Sequence, residues 1–209
     1  MATFTPRLSN AGMPGSPYWY NSAYNPYYPT YGLPNCTCYA WGRWYEILGF
    51  YPAGLGRGNA RDWWGEVQRY GLYQTGNVPK LGAIMCMAGG PYSGLGHVAV
   101  VEKIYSDGTV VLSQSAYTRD PAILNDPAMF AKYYFATRQG KASNQYGYSE
   151  YIFQGFVYLP EDFDPDIDPD NPPDPEPDVP GDDKLPLKLL LYKKQFYRNQ
   201  GRLITDVYK

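Results

Sequence analysis

The chemistry in this chain of 209 residues concentrates in one cysteine and in its only histidine. Cys36 follows Pro34-Asn35 and opens a run with apolar residues at helical spacing, Cys36, Ala40, Trp44, Ile47 and Leu48, stopped by Gly49. That pattern makes Asn35 an N-cap and places Cys36 in the first helical turn. Unpaired N–H groups and the positive end of the helix dipole favour an anion there, so the thiol is expected to be partly exposed and to ionise readily. His97 opens the branched run Val98-Ala99-Val100-Val101 and reads as the first residue of a strand, where an imidazole can face the helix start. A thiol and an imidazole so placed form the Cys/His arrangement of nucleophilic acyl transfer.

The other cysteines read differently. Cys38 lies two residues on, roughly 200° around the helix from Cys36, and is expected to pack in the core. A bridge between the two would be strained. Cys86, inside Ala83-Ile84-Met85-Cys86-Met87, reads as a buried strand residue. Three cysteines argue against a disulfide framework, and with one histidine and no second pair at ligand spacing they make no zinc site.

These residues need elements to hold them. After the first helix, Pro52-Ala53-Gly54-Leu55-Gly56-Arg57-Gly58 reads as a connector, because no strand precedes it and no Gly-Lys-Ser/Thr follows. Asn59 caps a second helix, Ala60 to about Tyr70, with Trp63, Val67 and Tyr70 as its buried stripe and Gly71 as its stop. The period then changes to strands at 83–87, 97–105, 109–115 and 151–159, with another near 133–137 and a turn at Ser106-Asp107-Gly108. Helices followed by antiparallel strands predict an α+β domain with N-terminal helices packed on the sheet. The Tyr- and Pro-rich stretch 14–31 reads as a loop held by aromatic packing, its rings covering the core or lining a cleft to Cys36.

Asn35-Cys36-Thr37-Cys38-Tyr39-Ala40-Trp41-Gly42-Arg43, Gly82-Ala83-Ile84, Gly96-His97-Val98-Ala99-Val100-Val101-Glu102 and Phe153-Gln154-Gly155-Phe156-Val157-Tyr158-Leu159 together resemble the CHAP family, the cysteine- and histidine-dependent amidohydrolases/peptidases. The likeness is to phage lysins and spans about residues 14–160. It implies a papain-like (NlpC/P60-like) fold and a metal-free, cofactor-free peptidoglycan hydrolase, either an N-acetylmuramoyl-L-alanine amidase or an endopeptidase. Cys36 would be its nucleophile and His97 its base.

The resemblance also implies a third residue that orients the histidine, usually Glu, Asp or Asn. If the hairpin closes with a two-residue turn, His97 shares a face with Gln114, Ala116 and Thr118, while Ser113 and Ser115 face the other way. Gln114 then stands where the family places an acid. Its side-chain carbonyl can accept the imidazole N–H but carries no charge. A β-bulge would shift the facing and bring Glu102 or Asp120 into competition.

Composition bounds the rest. Apolar residues make up 44% of the chain, enough for one domain. The net charge of −2 conceals a near-neutral body, an acidic connector 161–183 with 11 acids and no base, and a tail 184–209 with 7 bases and one acid. The expected organisation is a catalytic domain at 1–160, a Pro/Asp-rich linker at 161–183, and a docking segment at 184–209 for a virion or tail protein or a cell-wall polymer. The linker's aspartates lack the glycine turn and closing Glu of a calcium loop. Nucleic acid is not an expected partner, and neither a signal peptide nor a membrane span is read from the chain. The expected setting is host cytoplasm before release to the wall, or the virion tail. A structural virion protein using the fold for attachment is the alternative function.

Overall fold

A computed structural model describes residues 4–91, 94–160 and 163. In chain order the elements are α1 (Pro17–Tyr20), α2 (Cys36–Leu48), α3 (Trp63–Tyr70), β1 (Thr75–Gly76), β2 (Ile84–Ala88), β3 (His97–Ile104), β4 (Val110–Gln114), α4 (Pro121–Leu124), α5 (Pro127–Tyr134), β5 (Ala136–Gly140) and β6 (Ile152–Val157). The strands form one antiparallel sheet in the order β1-β6-β2-β3-β4-β5, with the N-terminal helices against one face. This is the expected α+β, papain-like domain. The linker expected at 161–183, apart from Phe163, and the docking segment expected at 184–209 lie outside the described residues; Phe163 packs on the core.

Two apolar layers sandwich the sheet. Ile84, Cys86, Val98, Val100 and Val157 face a layer with Trp19, Trp44 and Trp63 from the helices. Met85, Ala99, Val101, Leu112 and Phe156 face a second layer closed by Tyr146 and Tyr148. Strand alternation puts neighbouring residues into opposite layers, so these strands are apolar on both faces. Cys38 and Cys86 are fully buried, as expected. In the stretch 14–31, Trp19 and Tyr27 belong to the core, while Tyr27 and Tyr31 also line the cavity at Cys36, so both readings of these rings hold.

Four expectations need correction. The Asn59 side chain caps nothing: Ala60–Asp62 form a 3-10 turn, and the α-helix starts only at Trp63. Tyr70 is 47% exposed, because α3 ends there with Gly71 in the left-handed conformation and only Trp63 and Val67 reach the core. The strand expected near 133–137 is shifted to β5, because Pro127 at N1 and the Asp126 cap start a helix that runs to Tyr134. The hairpin loop has three residues: the Tyr105 N–H donates to the Thr109 carbonyl at 2.8 Å, and Gly108 takes φ +81°.

That loop alone would shift the β3–β4 pairing by one residue and turn Gln114 away from the His97 face. A bulge restores it. Val100 and Val101 pair with Ser113 and Leu112, whereas Lys103 and Ile104 pair with Val111 and Val110, leaving Glu102 as the extra residue.

Candidate active site

Asn35 is the N-cap of α2. Its Oδ1 accepts from the backbone N–H groups of Thr37 (2.9 Å) and Cys38 (3.0 Å) and from the Thr37 hydroxyl (2.6 Å). The Asn35 N–H donates to the Ser115 hydroxyl at 3.1 Å, and that hydroxyl donates to the Tyr133 carbonyl at 3.0 Å. The end of β4 therefore pins the residue before Cys36. Cys36 is the first residue of α2, as the sequence predicts, but it is buried at 8% exposure.

Gly96 sets the entry to β3. Its φ is +78°, and a Cβ there would meet the Met87 carbonyl oxygen at 2.3 Å and the Arg61 backbone nitrogen at 2.6 Å. Only glycine fits such a position, and the next residue, His97, is delivered onto the rim that Cys36 shares. Both line one cavity of about 530 Å³, together with Asn35, Gln114, Tyr148 and Tyr151.

His97 Nε2 meets Gln114 Oε1 in a short hydrogen bond, so the imidazole donates from Nε2 and keeps Nδ1 as its basic nitrogen. The same oxygen accepts from the Tyr148 hydroxyl at 2.8 Å. The Tyr148 and Tyr151 rings pack beside the imidazole and against each other, with centroids 5.5 and 5.4 Å from it and 6.2 Å apart. Tyr148 was not legible as a site residue, because it falls in a stretch with no strand or helix period, and Tyr151 reads only as the start of the last strand.

The competitors for the orienting role are engaged elsewhere. The bulge turns Glu102 into the helix-side layer, where it is fully buried. Its carboxylate accepts from Arg43 Nε and Nη2 (2.9 Å each), the Ser113 hydroxyl (2.6 Å) and the Arg7 backbone N–H (2.7 Å). That fork ties α2 to the sheet. Asp120 caps α4 by accepting from the Ala122 N–H at 2.9 Å. Along Ser113-Gln114-Ser115, three successive residues thus serve Glu102, His97 and Asn35.

The electrostatics reverse one expectation. Burial pushes the Cys36 thiol up to about 11, although backbone N–H groups pull the other way. Burial likewise pushes His97 down to about 4, against the Gln114 hydrogen bond. Loss of hydration outweighs the helix start, and no anion lies on Gln114 to hold an imidazolium. The resting pair is a neutral thiol and a neutral imidazole. Among the described residues, no group of three His, Cys, Asp and Glu side chains gathers to hold a metal ion.

Residues 23–116 match the CHAP domain profile, which takes in Cys36, His97 and Gln114 and stops before Tyr148. This chain carries a CHAP domain. Its similar proteins include "Probable autolysin SsaALP" of Staphylococcus aureus, 35% identical over 95 residues, covering 46% of this chain and 34% of the relative. "Staphylococcal secretory antigen ssaA2" of the same species is 39% identical over 74 residues, 35% of this chain and 26% of that protein. The chain thus spans about a third or less of the length of these relatives. A crystal structure of an N-acetylmuramoyl-L-alanine amidase from Staphylococcus aureus is 25% identical with a TM-score of 0.43, covering 60% of this chain and 30% of that one. Within the CHAP domain, the motif residues Asn35, Gly42, Arg43, Gly96 and Glu102 have structural work. A Cβ on Gly42 would lie 2.3 Å from Trp19 Nε1, so glycine lets α1 approach α2.

Proposed function

We propose that this protein is a peptidoglycan hydrolase that cuts an amide bond through a thioester on Cys36. The observation that carries this reading is the one cavity lined both by Cys36, at a helix start, and by His97, whose Nε2 is held by Gln114. The CHAP domain and the autolysin names of its relatives support the substrate class.

Because the resting pair is neutral, proton transfer and attack go together. The Cys36 sulfur attacks the carbonyl carbon while its proton passes to His97 Nδ1, and negative charge gathers on the carbonyl oxygen. The Cys36 N–H is the donor for that oxygen, since Asn35 Oδ1 occupies the N–H groups of Thr37 and Cys38. His97 then gives its proton to the leaving nitrogen as the C–N bond breaks. Water attacks the thioester, its proton goes to His97, and the thiol leaves with that proton. Gln114 keeps the ring turned throughout and supplies no charge, so the imidazolium is short-lived.

An amidase cutting the sugar–peptide bond and an endopeptidase cutting within the peptide are the finer alternatives; a phage lysin, released from the host cytoplasm or borne on a virion tail, is the finer setting. Digestion of purified cell wall, with mass spectrometry of the fragments, separates the two bonds, and fractionation against purified particles separates the two settings. The neutral Gln114 and the raised thiol favour a second reading, attachment without turnover. Wall binding by the wild type with no digestion above that of Cys36→Ala or of a protein-free control would overturn the hydrolase reading in its favour.

A further inference from the structure

Gln114 is an amide, and an amide can face its partner either way round. With Oε1 toward His97, the ring carries its proton on Nε2 and offers a bare Nδ1. With the NH₂ group toward His97, Nε2 must accept, the proton moves to Nδ1, and the base is lost. A carboxylate has no wrong way round. A domain that uses Gln at this position therefore needs something to choose the orientation.

We propose that Tyr148 is that positioning residue: its hydroxyl, on a ring that lies under the Arg138 guanidinium, fixes the Gln114 amide and through it the tautomer of His97. The inference rests on His97 serving as the base. Two donors, the His97 Nε2–H and the Tyr148 O–H, converge on Gln114 Oε1. The inverted amide would require both partners to accept.

A phenol can also accept, so its preference matters. Arg138 lies over the Tyr148 ring with its guanidinium carbon 4.5 Å from the centroid, drawing electron density from the ring and favouring donation. Burial raises the Tyr148 pKa and keeps the proton on the oxygen.

The backbone is built to hold this ring. Gln145, Tyr146 and Gly147 take φ of +48°, +56° and +88° in succession, a costly turn that ends at Tyr148. It is clamped to β5 from both sides. Arg138 Nη1 donates to the Gly147 carbonyl at 2.8 Å and pairs with Glu150 at 2.5 Å. A Cβ on Gly140 would sit 2.4 Å from the Gly147 nitrogen, so the two glycines let the turn lie flat on the strand. All of these residues lie beyond the stretch that matches the domain profile.

The chain's single histidine makes the test direct, because a ¹⁵N-histidine label gives one ring to read. At pH 7 the full-length wild type should show hydrogen on Nε2 and a bare Nδ1. Tyr148→Phe should populate the Nδ1–H form and lower kcat about 3- to 10-fold, the span of one neutral hydrogen bond, with KM unchanged. In a Gln114→Glu background the same change should cost less than about twofold, since a carboxylate needs no orienting. Arg138→Met, at a half-exposed side chain, should shift the tautomer in the same direction and keeps the test open if Tyr148→Phe does not fold. A wild-type ring protonated on Nδ1, a tautomer unmoved by either variant, or an equal loss in the Gln114→Glu background would overturn the proposal. The tautomer readout needs no turnover, so a failure of the hydrolase reading would appear separately, as wall cleavage that survives Cys36→Ala.

Discussion

Glu102→Gln separates support from catalysis at the bulge of β3. The carboxylate receives four hydrogen bonds, two of them from Arg43, whose side chain is only 4% exposed. The amide keeps the shape but removes the charge and turns an NH₂ group toward donors. Breaking a buried pair from one side costs about 3–5 kcal/mol. Arg43 keeps Glu46 at 2.7 Å, so the low end, about 3 kcal/mol, applies. For a chain of this size that is a Tm lower by about 6–12 °C. The assay is thermal unfolding of the full chain beside wall hydrolysis at a temperature where both forms are folded, with kcat expected within about threefold of wild type because Glu102 does not touch His97. An unchanged Tm with kcat down 100-fold would make Glu102 the orienting residue and refute the assignment to Gln114.

Further outcomes follow from the same geometry. Gly96→Ala should cost about 2 kcal/mol or more in urea unfolding and lower kcat about 100-fold, because the chain must shift at the residue before His97; wild-type activity would deny the need for its left-handed backbone. His97 resists protonation down to about 4, so kcat/KM should stay flat through pH 6.5 and fall only well below it; an acid limb at 6.5 or above would refute the buried neutral imidazole. In that window the unfolded chain binds the histidine proton and the folded chain does not, so His97 also lowers stability as pH falls from about 6.5 toward 4, measurable as Tm against pH in wild type and His97→Gln. Iodoacetamide should label Cys36 before Cys38 and Cys86, slowly at neutral pH and faster as pH rises toward about 11; labelling already maximal at pH 6 would establish a resting thiolate.

Much of the site was legible because its signals are local. A helix cap needs only Asn35 and the apolar spacing behind it, and Gly96-His97 before a branched run marks a strand start. The facing of His97 and Gln114 was also readable, but by a route the structure replaces. A two-residue turn would give that facing directly, whereas a three-residue loop is present; the bulge at Glu102 cancels the difference. What the sequence hid depends on distant parts of the chain. The raised thiol of Cys36 is a product of burial under segments far away in sequence, which a helix-start argument does not contain. Tyr148 reaches Gln114 only because β5 and its tight turn fold back across β4, and nothing in the periodicity of 141–151 announces that. Tyr70 misled because helical spacing continues to the last residue of α3, where the core has already ended.

The central claim is that Cys36 forms a thioester with the substrate acyl group, and intact-protein mass spectrometry after a rapid acid quench of enzyme with solubilised wall fragments tests it most directly. The expected result is a mass increase on the peptide that holds Cys36, retained in Cys38→Ala, absent in Cys36→Ala, and increased when Gln114→Ala slows the base. Fragments released at the wild-type rate by Cys36→Ala, with no adduct on that peptide in any form, would contradict the account.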